Sequence, residues 1–154
     1  MADKSKLGME FPVYTFIVEK DKIIEFAIAV SQKDNRDQIN PIYYDEEAAK
    51  KAGYQSIPTP LTFSNSSFFW TGGGLLGTVE TLGIDSSKLL HREEAFEYYG
   101  SIYAGDVITR KMKVVDMYKK GKRERTVDVT ILEIELINQR GELIIKSRTK
   151  LMER

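Results

Sequence analysis

The spacing of hydrophobic residues predicts helices in the first half of the chain and strands in the second. A short strand is predicted over residues 11–18. Apolar positions from Ile23 to Val30 then fall on one broad helical face, so we expect a helix with Asp21 as its N-cap. The chain is therefore expected to start with a strand that leads into an amphipathic helix.

Two further helices are predicted from the residues at their ends. Asp45 can cap the first, which has acidic residues in its first turn, basic residues in its last turn and Gly53 just beyond its end. Thr59 and Pro60 suit the N-cap and first position of the second. This last helix is expected to run to Trp70 and to end in the glycine run that follows.

The second half of the chain alternates apolar and polar residues, which is typical of half-buried strands. The predicted strands cover residues 94–99, 107–118, 126–138 and 143–152, separated by turns at 104–106, 119–125 and 138–142. The apolar phase changes at Ile131–Leu132, which predicts a β-bulge or sharp coiling there. A strand, then helices, then antiparallel strands predict the α+β class, with helices packed on one face of the sheet.

Composition limits the classes of function. The 154 residues predict one domain over residues 1–154, and the sequence leaves open whether roughly the first ten are disordered. The 23 basic and 23 acidic residues balance, so no nucleic-acid partner is indicated. With no Cys and one His, neither a metal nor another cofactor is expected. The uncharged stretch 52–79 is too polar to cross a membrane and the charged N-terminus does not resemble a signal peptide, so we expect a cytoplasmic protein without membrane association.

Three ordered segments resemble one protein family. The first two have the sequences NPIYYDEEAA over residues 40–49 and GYQSIPTPLTF over residues 53–63. They resemble the N-P-hydrophobic-H-x-D-x-x-x-A and G-Y-x-x-I-x-x-P-x-T-F runs of the MaoC-like dehydratases and R-specific enoyl-CoA hydratases, in their N-terminal MaoC-like branch. The third, LHREEAFEY at 90–98 followed by AGDV at 104–107, resembles the H-x-E-x-x-F-x-Y…A-G-D segment of that branch. Three separated matches are more specific than a lone motif.

The resemblance implies a hot-dog fold, in which an antiparallel sheet wraps around a central helix. It also implies acyl-CoA or acyl-carrier-protein thioesters as ligands, and the reversible hydration of a trans-2-enoyl thioester, a lyase reaction of fatty acid metabolism. Hot-dog domains of this kind commonly pair sheet edges, so a homodimer or a heterodimer with a catalytic hot-dog subunit is expected.

The chain departs from the family at both catalytic positions. The family moves the proton with an Asp and a His, whereas this sequence has Gln38 and Tyr43 at those positions. A tyrosine with an ordinary pKa of about 10 is a poor base at neutral pH. Some members of the branch lack the dyad in the same way and shape the acyl tunnel for a second, catalytic subunit. That role is the interpretation we favour from the sequence.

Three residues are candidates for a relocated catalytic group, and each has a structural alternative. Asp37 is either a displaced carboxylate or a solvated charge of the loop over 31–38, whose placement the sequence leaves open. Tyr43 either donates a hydrogen bond to substrate or packs its ring and satisfies its hydroxyl locally. His91 has an ordinary pKa near neutrality but lies far from Asn40 in sequence.

Five residues are candidates for binding substrate. Asn40 and Pro41 either border the water side of the site or form the turn into the helix that Asp45 caps. Thr59, Thr62 and Phe63 begin the predicted third helix, where backbone N–H groups would stabilise the thioester oxygen.

Three functions therefore stay open: a substrate-binding subunit, a self-sufficient hydratase with relocated catalytic groups, and an acyl-CoA or lipid binding module without a reaction. The sequence does not decide acyl chain length, or CoA against carrier protein.

Overall fold

The computed structural model describes residues 3–70, 74–122 and 125–154. Its strands in these ranges are β1 (Tyr14–Ile17), β2 (Leu89–Tyr98), β3 (Val107–Lys122), β4 (Arg125–Ile137) and β5 (Leu143–Glu153). They form one sheet in the order β1-β3-β4-β5-β2, and each neighbouring pair is antiparallel. The short β1 and the ten-residue β2 are therefore the two edges.

All three α-helices of the described residues lie between β1 and β2. The α-helices are α1 (Lys20–Ser31), α2 (Glu46–Lys51) and α3 (Gly74–Thr81). Short 3₁₀ segments cover Lys4–Lys6, Arg36–Gln38, Pro41–Tyr43 and Ser86–Lys88, and a longer one covers Leu61–Trp70. This arrangement of helices against an antiparallel sheet confirms the predicted α+β class.

The helix ends agree with the sequence at α2 and differ at α1. Asp45 caps α2 by accepting hydrogen bonds from the N–H groups of Glu47 and Ala48, as predicted. The prediction that Asp21 caps α1 is wrong, because α1 starts at Lys20 and its N-cap is Glu19, two residues before the predicted cap. Asp21 instead lies in the first turn, where its charge still favours the helix dipole.

The predicted third helix takes a different form. Residues 61–70 are in 3₁₀ conformation, and α3 begins at Gly74, within the glycine run that was expected to end the helix. The rest of that run, residues 72–73, lies outside the described residues. Serine and asparagine are frequent in residues 61–70, and such side chains compete for backbone hydrogen bonds: the Ser66 hydroxyl donates to the carbonyl of Phe63.

Three strands, β2, β3 and β5, are longer than predicted, and the strand pairing has three register shifts. β2 begins at Leu89 rather than at residue 94, whereas β1 is shorter than the predicted 11–18. The pairing of β3 with β4 shifts between Val114 and Asp116, opposite Leu132 and Ile131. The irregularity predicted at Ile131–Leu132 is thus present in this pairing, with the extra residue on β3. A second shift lies in β2 between His91 and Glu93, and a third lies in the pairing of β4 with β5, between Leu136 and Ile137.

One apolar core lies between the sheet and the helices. Its members include Val18, Ile23, Phe63, Leu82, Ile108, Leu132, Leu136 and Leu151. The N-terminal stretch, whose order the sequence left open, contacts β3 from Gly8 onward: the Gly8 N–H donates to the carbonyl of Val114 and the Phe11 N–H to that of Met112. Among the described helices, none is both long and apolar enough to span a membrane.

Candidate functional site

A cavity of about 160 Å³ lies beside Tyr43, the residue that the sequence resemblance aligns with the family's histidine. It is lined by Tyr43, Tyr54, Pro58, Thr59, Leu61, Tyr98, Gly100, Ser101, Ile102 and Ile145. The 3₁₀ turn of residues 41–43, the start of residues 61–70 and the end of β2 therefore meet here. Two of the sequence candidates, Tyr43 and Thr59, share this cavity.

Asn40 shapes the turn that presents Tyr43. Its side-chain oxygen accepts a hydrogen bond from the Ile42 N–H at 3.1 Å, and Pro41 is the first residue of the 3₁₀ turn. Asp45 continues this arrangement, since its N–H donates to the carbonyl of Pro41 at 2.8 Å. The contacts of Asn40 and Pro41 are thus those of a rigid turn that leads into α2.

Tyr43 is half-buried, and its environment keeps it protonated. Burial, and secondarily the neighbouring Tyr54, raises the pKa of the Tyr43 phenol above its ordinary value. At neutral pH the phenol can donate a hydrogen bond but cannot take up a proton as a base. The geometry therefore suits binding or polarising a ligand oxygen.

Tyr98 is a second phenol of this cavity, and sequence reasoning gave it no role. Its hydroxyl donates to the carbonyl of Leu61 at 2.9 Å, which ties β2 to the start of the 3₁₀ segment. Burial raises the pKa of Tyr98 as well. The signal was present in the sequence, because Tyr98 is the tyrosine of the H-x-E-x-x-F-x-Y resemblance.

Thr59, Thr62 and Phe63 do not converge on one place. The Thr59 N–H donates to the carbonyl of Ile102 at 2.9 Å, so that amide is already occupied. Thr62 is exposed. Phe63 is buried and packs edge-on against Phe26, with ring centres 5.4 Å apart.

Phe63 lines a different cavity from Thr59. This second cavity is about 340 Å³ and is formed by Lys22, Glu25, Phe26, Phe63, Ser66 and Phe69. The predicted substrate-binding residues are thus divided between the cavity at Tyr43 and the apolar cavity under α1.

Asp37 and Gln38 lie apart from Tyr43's cavity. The Asp37 side chain is 81% exposed and lies 3.6 Å from the guanidinium of Arg36. The Gln38 amide oxygen accepts from the N–H of Asp34 within the same loop. Neither residue is among those that line the cavity. The contacts of Asp37 are those of a solvated loop charge.

His91 lies on the edge strand β2, also outside that lining. Its Nε2 is 3.1 Å from a carboxylate oxygen of Glu94, and the same oxygen accepts from the Thr149 hydroxyl at 2.6 Å. Glu94 is largely buried, whereas half of the His91 side chain is exposed. The histidine is thus oriented by a carboxylate, at a place separate from Tyr43.

The lining of the Tyr43 cavity contains no Asp, Glu, Lys or His. It therefore offers phenol and backbone groups for binding, and no group that titrates near neutral pH. In the described parts of the chain, no three His, Asp or Glu side chains are arranged to hold a metal ion.

Comparison with known proteins gives consistent results. Residues 5–147 match the family described as FAS1-like, dehydratase domain region. A UPF0336 protein from Streptomyces avermitilis is 32% identical over 153 residues, which cover 99% of this chain and 95% of that one.

Two solved structures are similar throughout this chain. A HadBC (3R-hydroxyacyl-ACP dehydratase) complex from Mycobacterium tuberculosis has a TM-score of 0.73 and 25% identity, with 96% of both chains covered. A MaoC-like dehydratase has a TM-score of 0.78 and 21% identity, and the match covers 97% of this chain and 42% of the other. The sheet and helices thus have the hot-dog fold of MaoC-like dehydratases.

Proposed function

We propose, since this chain belongs to the family of the FAS1-like dehydratase domain region, that it is an acyl-thioester-binding subunit of a (3R)-hydroxyacyl dehydratase or enoyl hydratase. The observation that carries the proposal is the cavity beside Tyr43. It is lined by Tyr43, which the sequence resemblance aligns with the family's histidine, yet no residue that lines it is an acid or a base at neutral pH. Its phenols suit the binding of an oxygen-bearing ligand.

Hydration of an enoyl thioester requires two kinds of group. One group must take a proton from water and deliver one to carbon, and donors must stabilise the charge that develops on the thioester oxygen. Tyr43 is available as a donor because its raised pKa keeps its hydrogen in place. The Asp and His of the reaction would come from a second hot-dog subunit. In this role the chain shapes the binding site and contributes to a lyase reaction only when paired.

The free edge of the sheet supports such pairing. β2 has a neighbour on one side only, so the backbone groups on its other side are available to another strand. Leu90 and Tyr98 of this strand are 39% and 42% exposed. A related solved structure is itself a dehydratase complex. The partner would be a catalytic hot-dog subunit, or a second copy of this chain.

The decisive experiment is the hydration of crotonyl-CoA by the purified chain alone, followed by loss of the enoyl absorbance. We expect no turnover, together with measurable binding of a saturated acyl-CoA that Tyr43→Phe weakens by removing the phenol donor. Activity should appear on addition of a hot-dog subunit that carries the Asp and His. Turnover by the isolated chain would overturn the subunit role.

The pair of His91 and Glu94 favours a second candidate, a self-sufficient hydratase. A histidine held by a carboxylate at 3.1 Å is the arrangement of a general base. In that case the isolated chain would hydrate crotonyl-CoA, His91→Gln would abolish the reaction, and Asp37→Ala would leave it intact because Asp37 is solvated. Binding without turnover even beside a catalytic partner would instead indicate a pure binding module.

Two further predictions from the sequence stay predictions: that the chain forms a single domain, and that it lies in the cytoplasm.

A further inference from the structure

Arg110 is a buried cation for which the described residues provide no carboxylate partner. It lies on β3 and is 1% exposed, within the apolar side of the sheet that also holds Ile108 and Met112. Burial lowers the pKa of Arg110 to about 10, so the guanidinium remains charged at neutral pH. A charged group in such a place is normally paired.

The contacts of the guanidinium are weak ones. Its Nη2 is 3.1 Å from the thioether sulfur of Met112, and its central carbon lies 4.3 Å from the centre of the Phe68 ring. Its Nε is buried and has no hydrogen-bond partner in the described part of the chain. Sulfur is a weak hydrogen-bond acceptor, and the face of an aromatic ring offers no lone pair to the N–H groups in the plane of the guanidinium. The donors of Arg110 are therefore left largely unused.

Two serine hydroxyls in the segment that covers Arg110 also lack hydrogen-bond partners among the described residues. Phe68 belongs to the 3₁₀ segment of residues 61–70, and Ser64 and Ser67 lie in that segment, each with a buried hydroxyl oxygen that lacks a described partner. A 3₁₀ helix has about three residues per turn, so Ser64 and Ser67 share one side of it. Unpartnered buried polar groups are uncommon in native proteins, and here three occur together in one segment and the strand it covers.

The segment over Arg110 is also suited to rearrangement. Its 3₁₀ conformation extends over ten residues, whereas such runs rarely exceed about four because their hydrogen-bond geometry is poor. The apolar cavity of about 340 Å³ is lined by Phe63, Ser66 and Phe69 of this same segment. This cavity is lined by other side chains of the same segment, so a short ligand chain in it reaches Arg110 only when the segment rearranges.

We propose that Arg110, with Ser64 and Ser67, binds a carboxylate carried at the far end of the acyl group. A carboxylate matches the paired N–H donors of a guanidinium, neutralises the buried charge and leaves acceptor positions for the two hydroxyls. Binding exchanges the Phe68 ring and the Met112 sulfur for the carboxylate. The inference rests on the proposed function, since it names the class of acyl thioester that the subunit selects.

The test compares two saturated ligands that cannot be hydrated, glutaryl-CoA and pentanoyl-CoA, which differ at the chain end. Affinities are measured by titration calorimetry for the wild-type protein, Arg110→Met and the control Lys111→Met, which removes the same charge from an exposed neighbour on β3. We expect glutaryl-CoA to bind at least about tenfold more tightly to wild type. The preference should vanish in Arg110→Met and persist in Lys111→Met. Equal affinities in wild type, or a preference that survives in Arg110→Met, would overturn the proposal.

Thermal unfolding without ligand provides a second readout. An unpaired buried charge opposes folding, so Arg110→Met should raise the midpoint by about 3 °C. A lowered midpoint would show that the arginine serves stability and would count against a ligand site.

The outcomes also separate this inference from the proposed function. Binding of pentanoyl-CoA without any preference for glutaryl-CoA leaves thioester binding standing and removes only the carboxylate site. If neither thioester binds, the proposed function fails. Free glutarate then tests Arg110 without the CoA group. A higher thermal unfolding midpoint of the wild type, but not of Arg110→Met, supports a carboxylate site. No rise in the wild-type midpoint would rule the site out.

Discussion

At the scale of single residues, the partners of a buried charge decide what the charge does. The Glu133 carboxylate on β4 is 5% exposed and lies 2.9, 3.2 and 3.7 Å from nitrogens of Arg148, Lys113 and Lys146. Burial by itself raises the pKa of Glu133, but the hydrogen bonds from Arg148 and Lys113 and the charge of Lys146 outweigh it, so the pKa falls below its ordinary value. Arg110 is 1% exposed and has no carboxylate partner among the described residues, which is why we assign it a ligand.

Glu133→Gln should therefore destabilise the protein at neutral pH by about 1.5–3 kcal/mol, the usual range for hydrogen bonds to a charged group. Because the folded-state pKa is lowered, this stabilisation is present above the unfolded value of about 4.3 and is lost as pH falls through the folded pKa. Urea unfolding at pH 7 and pH 3 checks this. Glu135→Gln, a more exposed glutamate next to Lys146, is the control and should change little. A deficit that is equal at both pH values would contradict the explanation.

At the scale of elements, α2 is a short helix that depends on its ends. It has six residues, fewer than an isolated helix needs, and it follows directly from the turn that carries Tyr43. Asp45 accepts from two of its first N–H groups, and Lys50 lies 3.2 Å from Glu46 one turn away. The helix thus holds one wall of the Tyr43 cavity in place through local interactions.

Asp45→Ala should lower the free energy of unfolding by about 1 kcal/mol, the usual cost of losing an N-cap. Chemical denaturation monitored by circular dichroism measures the change. Asp37→Ala removes another exposed carboxylate, one that caps no α-helix, and it should stay within about 0.5 kcal/mol of wild type. Equal effects of the two substitutions would show that the cap is unimportant.

At the scale of the whole molecule, the strand order leaves β2 as the long edge of the sheet. β1, the other edge, has only four residues, and an isolated bridge between Glu10 and Lys113 continues the pairing beyond it. An unpaired strand of ten residues is the larger template for another chain. It is therefore the surface through which we expect a second hot-dog subunit to pair.

Light scattering should show a two-chain assembly, formed by this chain alone or with its catalytic partner. Leu90→Lys places a charge on the β2 edge and should shift the assembly towards single chains. Ile17→Lys places the same charge on the exposed face of β1 and should have no effect. Dissociation by Ile17→Lys instead would locate the contact on the other edge.

Several features of the fold followed from the sequence because they depend on neighbouring residues. The N-cap of α2, the turn at residues 138–142 and the alternation of the last strands involve groups within a few positions of one another. The conformation of residues 61–70 did not follow, because its end signals favoured an α-helix while its serines bond locally to the backbone. Propensity alone does not settle such a competition.

The features of the candidate site also fall into those that the sequence predicts and those that depend on the tertiary structure. The sequence by itself determined the α+β class and the turn before α2, and it predicts that Gln38 and Tyr43 replace the family's Asp and His. Only the tertiary structure decided that Tyr98 reaches the carbonyl of Leu61, 37 positions away, and that Phe63 lines a different cavity from Tyr43. It also decided the burial of Arg110. Strand alternation predicts the face of the sheet on which this residue lies, but it does not predict which segment covers that face. Local hydrogen bonds and periodicity are encoded within short stretches, whereas these contacts arise where distant stretches pack together.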